Sequence, residues 1–283
     1  MEGRARAPAA GTVLNALATG TGSAFAIDAY TTATVDLGSE GSVEGEIAGA
    51  PDADTRLIER CVELVVDRFG DGQGGRVRTE SEVPMASGLK SSSAAANATV
   101  LATLSALDVT DEPGREEACR IGVQAARDAG VTVTGAFDDA SASMLGGVTV
   151  TDNTEDELLA REERDWSVLV WTPPERSFSA DADVGRCEHV APMADLVADL
   201  ALDGEFARAM TVNGLAYCAA LGFPTEPAVE AMPLVEGVSL SGTGPSFTAV
   251  GTHSALQQVE DVWTERDGNT WLTTTQTDGA QRR

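Results

Sequence analysis

The stretch Pro84-Met85-Ala86-Ser87-Gly88-Leu89-Lys90-Ser91-Ser92-Ser93-Ala94-Ala95-Ala96-Asn97-Ala98 decides how this chain is read. Ahead of it, Gly75 to Val83 alternates in the manner of a strand, and behind it an Ala-rich helix is expected from about Ser92 to Leu107. Gly88 permits a tight turn and a close approach of the backbone to a ligand. Three serines open the helix, where unpaired N–H groups and the positive end of the helix dipole point outward. The combination is an anion cradle. A di- or triphosphate can accept the backbone N–H bonds, Ser hydroxyls can add contacts or ligate Mg²⁺, and Lys90 adds an ammonium. A serine N-cap would account for one serine, but not for Gly88 and three in a row. No GxxxxGK[ST] pattern is present, so the loop is not a Walker A loop.

Charge supports a local grip on phosphate. The 283 residues carry 45 acidic and 19 basic side chains, a formal net charge of −26. A nucleic-acid backbone is bound by clustered Lys and Arg, so this surface excludes that class of partner. Eighteen of the basic residues are Arg, and Lys90 is the one Lys. An acidic, lysine-poor composition is expected of a salt-crowded cytoplasm, where a charged surface stays hydrated and its self-repulsion is screened. Cys61, Cys119, Cys187 and Cys218 lie far apart and read as free thiols, and His189 and His253 are too few for a metal cage or an obvious Ser/His/Asp triad. With no apolar run of about eighteen residues and no signal-peptide core after Met1, a cytoplasmic protein that does not enter the membrane is expected.

Outward from the loop, strands and helices mix. Tyr30 to Leu37 reads as a strand, the Gly-rich acidic run to Ala50 as a hairpin region, and Thr55 to Phe69 and Glu116 to Ala129 as helices. Gly146 to Thr151 reads as a strand closing the first half. The acidic segment Asp152 to Asp165 is the candidate boundary, giving domains 1–155 and 156–283. Trp166 to Trp171 opens the second half as a strand, followed by helices over Val190 to Leu202 and Glu205 to Leu221, a strand, glycine turn and strand over Val238 to Val250, and a helix over Ala255 to Glu265. An α/β or α+β enzyme-like chain in two domains follows.

Other residues carry candidate chemistry. Thr134-Gly135-Ala136-Phe137-Asp138-Asp139 offers two adjacent carboxylates, which in a dry site could not both stay charged without a nearby cation. Ser241-Gly242-Thr243-Gly244 is a Gly-rich turn between two strands. Thr12, Asn15 and Asp28 are polar residues that can line an acceptor pocket, with a plain role as strand and turn polar groups equally open. Arg127 is a candidate phosphate or carboxylate partner, with an exposed helix charge as the alternative.

The Pro84 to Ala98 segment resembles the Pro-x-x-x-Gly-Leu-x-Ser-Ser-Ala ATP loop of the GHMP kinases, the superfamily of galactokinase, homoserine kinase and mevalonate kinase. Ser239 to Ser246 is similar to its C-terminal Gly-rich motif, and Thr134 to Asp139 lies where those kinases carry a catalytic aspartate ahead of a Gly-Gly strand. Within the superfamily the chain most resembles the archaeal-type shikimate kinases, through Gly11 to Ala16, Ser87 to Ser93 and Gly130 to Ala140, and its acidic composition fits a haloarchaeal source. The resemblance implies a ribosomal-protein-like N-terminal domain with the ATP loop, a ferredoxin-like α+β C-terminal domain, ATP and Mg²⁺ as cofactors, and phosphorylation of the shikimate 3-hydroxyl. It also implies that Ser241 to Gly244 closes over the phosphates.

Counting forward from Thr134-Gly135 selects Asp138 as the catalytic carboxylate, and counting back from Gly146-Gly147 selects Asp139, so both stand. Two departures from the superfamily follow. A Lys common near the first strand is replaced by Thr12, which leaves the catalytic aspartate no cationic partner there. The usual Mg²⁺-binding Glu is missing from Gly122 to Asp128, which leaves Ser92 or Ser93 as metal ligands and Asp128 as a substitute. Homoserine kinase and a catalytically idle nucleotide-binding protein are the rival readings. Oligomeric state is open.

Overall fold

A computed structural model describes residues 1–39, 41–110, 112–132, 134–175 and 183–283. Val133, within the motif quoted above, lies outside them. The first sheet is built on two long antiparallel strands, β1 (Glu2–Leu14) and β2 (Thr21–Leu37). One end of β2 pairs with β4 (Gly75–Ser81) and the other with β5 (Val148–Asp152), so a single strand supports two branches of the sheet. The run expected as a hairpin region holds β3 (Val43–Ile47), which lies parallel to β4; helix α1 (Arg56–Phe69) makes the crossover that a parallel pair requires.

Helix α2 (Ser91–Ala106) is central to this half. It packs on β1 and β2 and against α1, α3 (Arg115–Asp128) and α4 (Phe137–Leu145), so its surface is buried nearly all round. Its alanines follow from that crowding. At Gly3 an added Cβ would stand 2.1 Å from the Ala102 carbonyl oxygen, so strand and helix meet backbone to backbone. A larger residue on either side would push β1 and the last turn of α2 apart.

The boundary expected after residue 155 falls inside a hairpin, because β6 (Glu157–Glu162) pairs with β5 and extends the first sheet. Its charge, which suggested a linker, is that of an edge strand with alternate residues in solvent. The chain leaves the first sheet after β6, and its last strand, β11 (Gln281–Arg282), returns to pair with β1. The second sheet has the order β10-β7-β9-β8, from β7 (Ser167–Thr172), β8 (Gly237–Leu240), β9 (Phe247–Gly251) and β10 (Asn269–Thr274), all antiparallel.

The short α5 (Val184–Cys187), α6 (Ala191–Leu202), α7 (Phe206–Leu221), α8 (Glu226–Ala231) and α9 (His253–Trp263) complete this half. Ala9, Val13 and Phe25 of the first sheet share one core with Val168 and Val170 of β7 and Phe206 and Met210 of α7. This apolar seam fixes the two halves against each other. Among the described residues no helix is long and apolar enough to cross a membrane.

Candidate active site

The loop before α2 holds three left-handed residues in five: Ala86 (φ 56°), Gly88 (φ 83°) and Lys90 (φ 62°). Only one is glycine, so the bend is strained at the other two. Lys90 occupies the N-cap of α2, makes no side-chain cap bond, and the first turn carries no acidic residue. The helix thus places no acidic residue of its own at its positive end, as a cradle for phosphate requires. Ser92 is exposed and Ser91 and Ser93 are half-buried, whereas Ser87 is buried and donates its hydroxyl to the Pro84 carbonyl at 2.8 Å. Pro84 is exposed, Met85 and Ala86 are half-buried, and Leu89 and Ala94 belong to the core beneath.

Gly88 serves a purpose the local motif does not reveal. A Cβ there would stand 2.2 Å from the Ser241 carbonyl oxygen and 2.9 Å from that of Gly244. Ser241 Oγ donates to the Gly88 carbonyl at 2.9 Å, and the Ser246 N–H donates to the Ser87 carbonyl at 3.2 Å. The glycine turn of the second sheet is therefore seated on the loop of the first. Thr243 lies buried in the same turn.

Beneath the loop, Lys90 Nζ stands 2.7 Å from Asp139 Oδ1, with side chains 9% and 13% exposed. Charge and hydrogen bonding from the ammonium both favour the carboxylate form of Asp139. An added Cβ on Gly242 would stand 2.9 Å from the same Nζ, which places that glycine over the ammonium. Burial drives the Asp139 carboxyl up from 3.8 to about 7; the Asp138 charge adds to the rise and Lys90 opposes it. The cation missing at Thr12 is thus supplied from the nucleotide-type loop itself, by a contact 49 residues away in sequence that no local signal announces.

Asp138 faces elsewhere. Its Oδ1 accepts from Asn153 Nδ2 at 2.7 Å, and its carboxylate lies against Gly22, where a Cβ would come within 2.6 Å of Cγ. Thr12 is fully buried and its Oγ1 accepts from the Gly242 N–H at 2.7 Å. Asn15 Nδ2 donates to the Gly242 carbonyl at 2.9 Å, its own N–H donates to Asn213 Oδ1, and its carbonyl accepts from Tyr217 Oη at 2.7 Å. These two expected pocket residues tie β1 to the glycine turn.

Asp28 and Asp128 lie apart from this cluster. Asp28 is exposed on β2, beside Tyr30, with its carbonyl accepting from Thr273. Asp128 accepts from Arg60 Nε at 2.7 Å and from Gln124 Nε2 at 2.6 Å on the outer α1–α3 face. A carboxylate already engaged by a guanidinium is a poor substitute metal ligand, and Arg60 holds it below its usual range. Arg127 is engaged elsewhere: it forks onto Asp156 at 2.6 and 2.8 Å and covers Gly135.

Residues 56–147 match the GHMP kinases N terminal domain. The chain is 66% identical over 282 residues to a shikimate kinase of Halobacterium salinarum, covering 99% of each, and 53% identical over 263 residues to one of Methanococcoides burtonii, covering 92% of this chain and 91% of the relative. The chain belongs to the archaeal shikimate kinase family. The fold is shared more widely: a homoserine kinase structure from Cytophaga hutchinsonii superposes with a TM-score of 0.77 over 100% of this chain and 97% of that one, at 15% identity. For this family the two-domain α+β arrangement and an ATP-dependent phosphotransferase are established.

Proposed function

We propose that this protein transfers the terminal phosphoryl group of ATP to the 3-hydroxyl of shikimate. The observation that carries the reading is the nearly buried Lys90–Asp139 pair set directly under an uncapped helix start. The bend at Ala86 to Lys90 and the first N–H groups of α2 bind the phosphates, with Ser91 to Ser93 beside them. The Ser241 to Gly244 turn closes the other side, already bonded to Gly88. Asp139 orients the acceptor hydroxyl and takes its proton; a carboxylate held near pH 7 is matched to that task. Lys90 keeps that carboxylate charged in a dry place.

The residues fit Mg²⁺ as an ion carried mainly by the nucleotide and water. Among the described residues no group of three or more His, Cys, Asp or Glu side chains could hold a metal, and Ser92 and Ser93 offer hydroxyls at the cradle's rim. When bound, the ion neutralises phosphate charge. Four free, buried cysteines suit a reducing cytoplasm.

Coupled ADP release with shikimate, homoserine and mevalonate tests the proposal. Turnover with shikimate alone is expected. Turnover with another alcohol instead would reassign the acceptor, and ATP binding without turnover on any of them would mean an idle binding protein.

A further inference from the structure

The turn between β5 and β6 carries an asparagine with every polar atom engaged. Asn153 is 3% exposed. Its N–H donates to the Gly20 carbonyl at 2.9 Å and its carbonyl accepts from Arg127 at 3.3 Å. Its Oδ1 accepts from the Asp138 N–H at 3.0 Å and from Thr151 Oγ1 at 2.8 Å, while its Nδ2 donates to Asp138 Oδ1 at 2.7 Å and to Thr134 Oγ1 at 3.4 Å. Helix α4 has no side-chain cap of its own, since its N-cap is Ala136, a left-handed residue. Asn153 therefore caps α4 from another strand pair, satisfying an N–H that the helix leaves open.

The consequence concerns rotation. Successive residues on a helix project about 100° apart. Pinning Asp138 to Asn153 on one side, with Gly22 leaving room for its carboxylate, turns Asp139 toward Lys90 on the other. We infer that Asn153 is a positioning residue that decides which of the two adjacent aspartates faces the cleft, and that Asp138 is its structural partner. This rests on the proposed role of Asp139. The amide is suited to the task because it presents a donor to the carboxylate and an acceptor to the N–H in one planar group.

Asn153→Asp tests the idea with almost no change of shape, because it sets an oxygen where Asp138 Oδ1 needs a donor. The expected result is a loss in kcat of about 10²-fold with the KM for ATP unchanged within two-fold, as for a reacting group displaced by a fraction of an ångström. Asp138→Asn should cost only a few-fold, because a carboxamide oxygen still accepts from Asn153. The exchange variant N153D/D138N restores one donor and one carboxylate, and should regain at least ten-fold over N153D. Wild-type kcat in N153D, or an exchange variant that folds and is no better than N153D, would overturn the inference. If N153D fails to fold, N153A read by the same kcat and KM split decides, with unchanged kcat counting against. Asp139→Asn separates the two layers: an active D139N removes the proposed role of Asp139 and this inference with it. An inactive D139N beside fully active N153D and N153A overturns the inference alone.

Discussion

Two kinds of ion pair occupy this molecule, and they differ in everything but charge. On the outer face, Arg76 pairs with Glu44, Arg78 with Glu46 and Arg208 with Glu205, with side chains half exposed or more. In the cleft, Lys90 and Asp139 are nearly hidden from water. Water and salt screen the first kind, so each such pair is worth little. The second kind is costly to form and costly to break, because neither charge has water to fall back on. The chain assigns its chemistry accordingly. Arginine serves the surface, where a planar fork engages carboxylates, and the one lysine, a compact charge on a flexible stem, serves the cleft.

The largest expected effect comes from breaking the hidden pair on its acidic side. Asp139→Asn should lower turnover by about 10³-fold, the scale of losing a general base, while ATP binding measured by calorimetry stays close to wild type. Asp139 also makes stability depend on pH. Its carboxyl is raised from 3.8 to about 7 on folding, so between those values the folded chain binds a proton that the unfolded chain has released. Stability from this group therefore falls as pH rises from about 4 to about 7 and is level above that. D139N should lack this slope in melts taken across the same range; an identical slope in both proteins would remove Asp139 as its source.

Breaking the pair on its basic side is next. Lys90→Met removes the charge that holds the Asp139 carboxyl down, so the acid limb of kcat/KM should move to higher pH and the rate at neutral pH should fall by about 10²-fold. A reduced rate with an unmoved acid limb would mean that Lys90 serves the phosphates without tuning Asp139.

This comparison also separates what local sequence reveals from what it hides. The loop and the start of α2 were legible because glycine, serine and alanine act through their own backbone. Helix α4 has no assignment in the sequence reading, since its cap comes from Asn153 and leaves no signal before Phe137. Strand β1 gives a weak signal because it alternates only over Glu2 to Arg6 and is buried on both faces from Ala7 to Leu14, where small residues leave no alternation. Lys90 stands out in the sequence as the one lysine, yet its partner lies on another helix, and a contact of that kind is set by packing. Even the glycine of the loop was assigned half its work, since Gly88 also admits the carbonyls of Ser241 and Gly244.

Gly88→Val accordingly tests the joint between the two sheets, an intermediate effect. A left-handed residue with a branched side chain against two carbonyls should destabilise the fold by about 2 kcal/mol or more and raise the KM for ATP. Thermal melts without nucleotide separate the two contributions. A normal melt with weakened ATP binding would assign Gly88 to phosphate approach alone.

The smallest effect is expected at the surface, and there the comparison is sharpest. Arg208 and Glu205 stand 3.3 Å apart, with side chains 71% and 50% exposed. The double variant R208Q/E205Q removes both charges and should change stability by no more than about 0.5 kcal/mol, with kcat untouched. Raising the salt concentration should shrink even that difference, since ions screen an exposed pair and scarcely reach a hidden one. The same salt series on K90M should leave its deficit in kcat in place. If added salt instead rescued K90M, the Asp139 carboxylate would be open to ions from solvent, and the distinction between the two kinds of pair would fail.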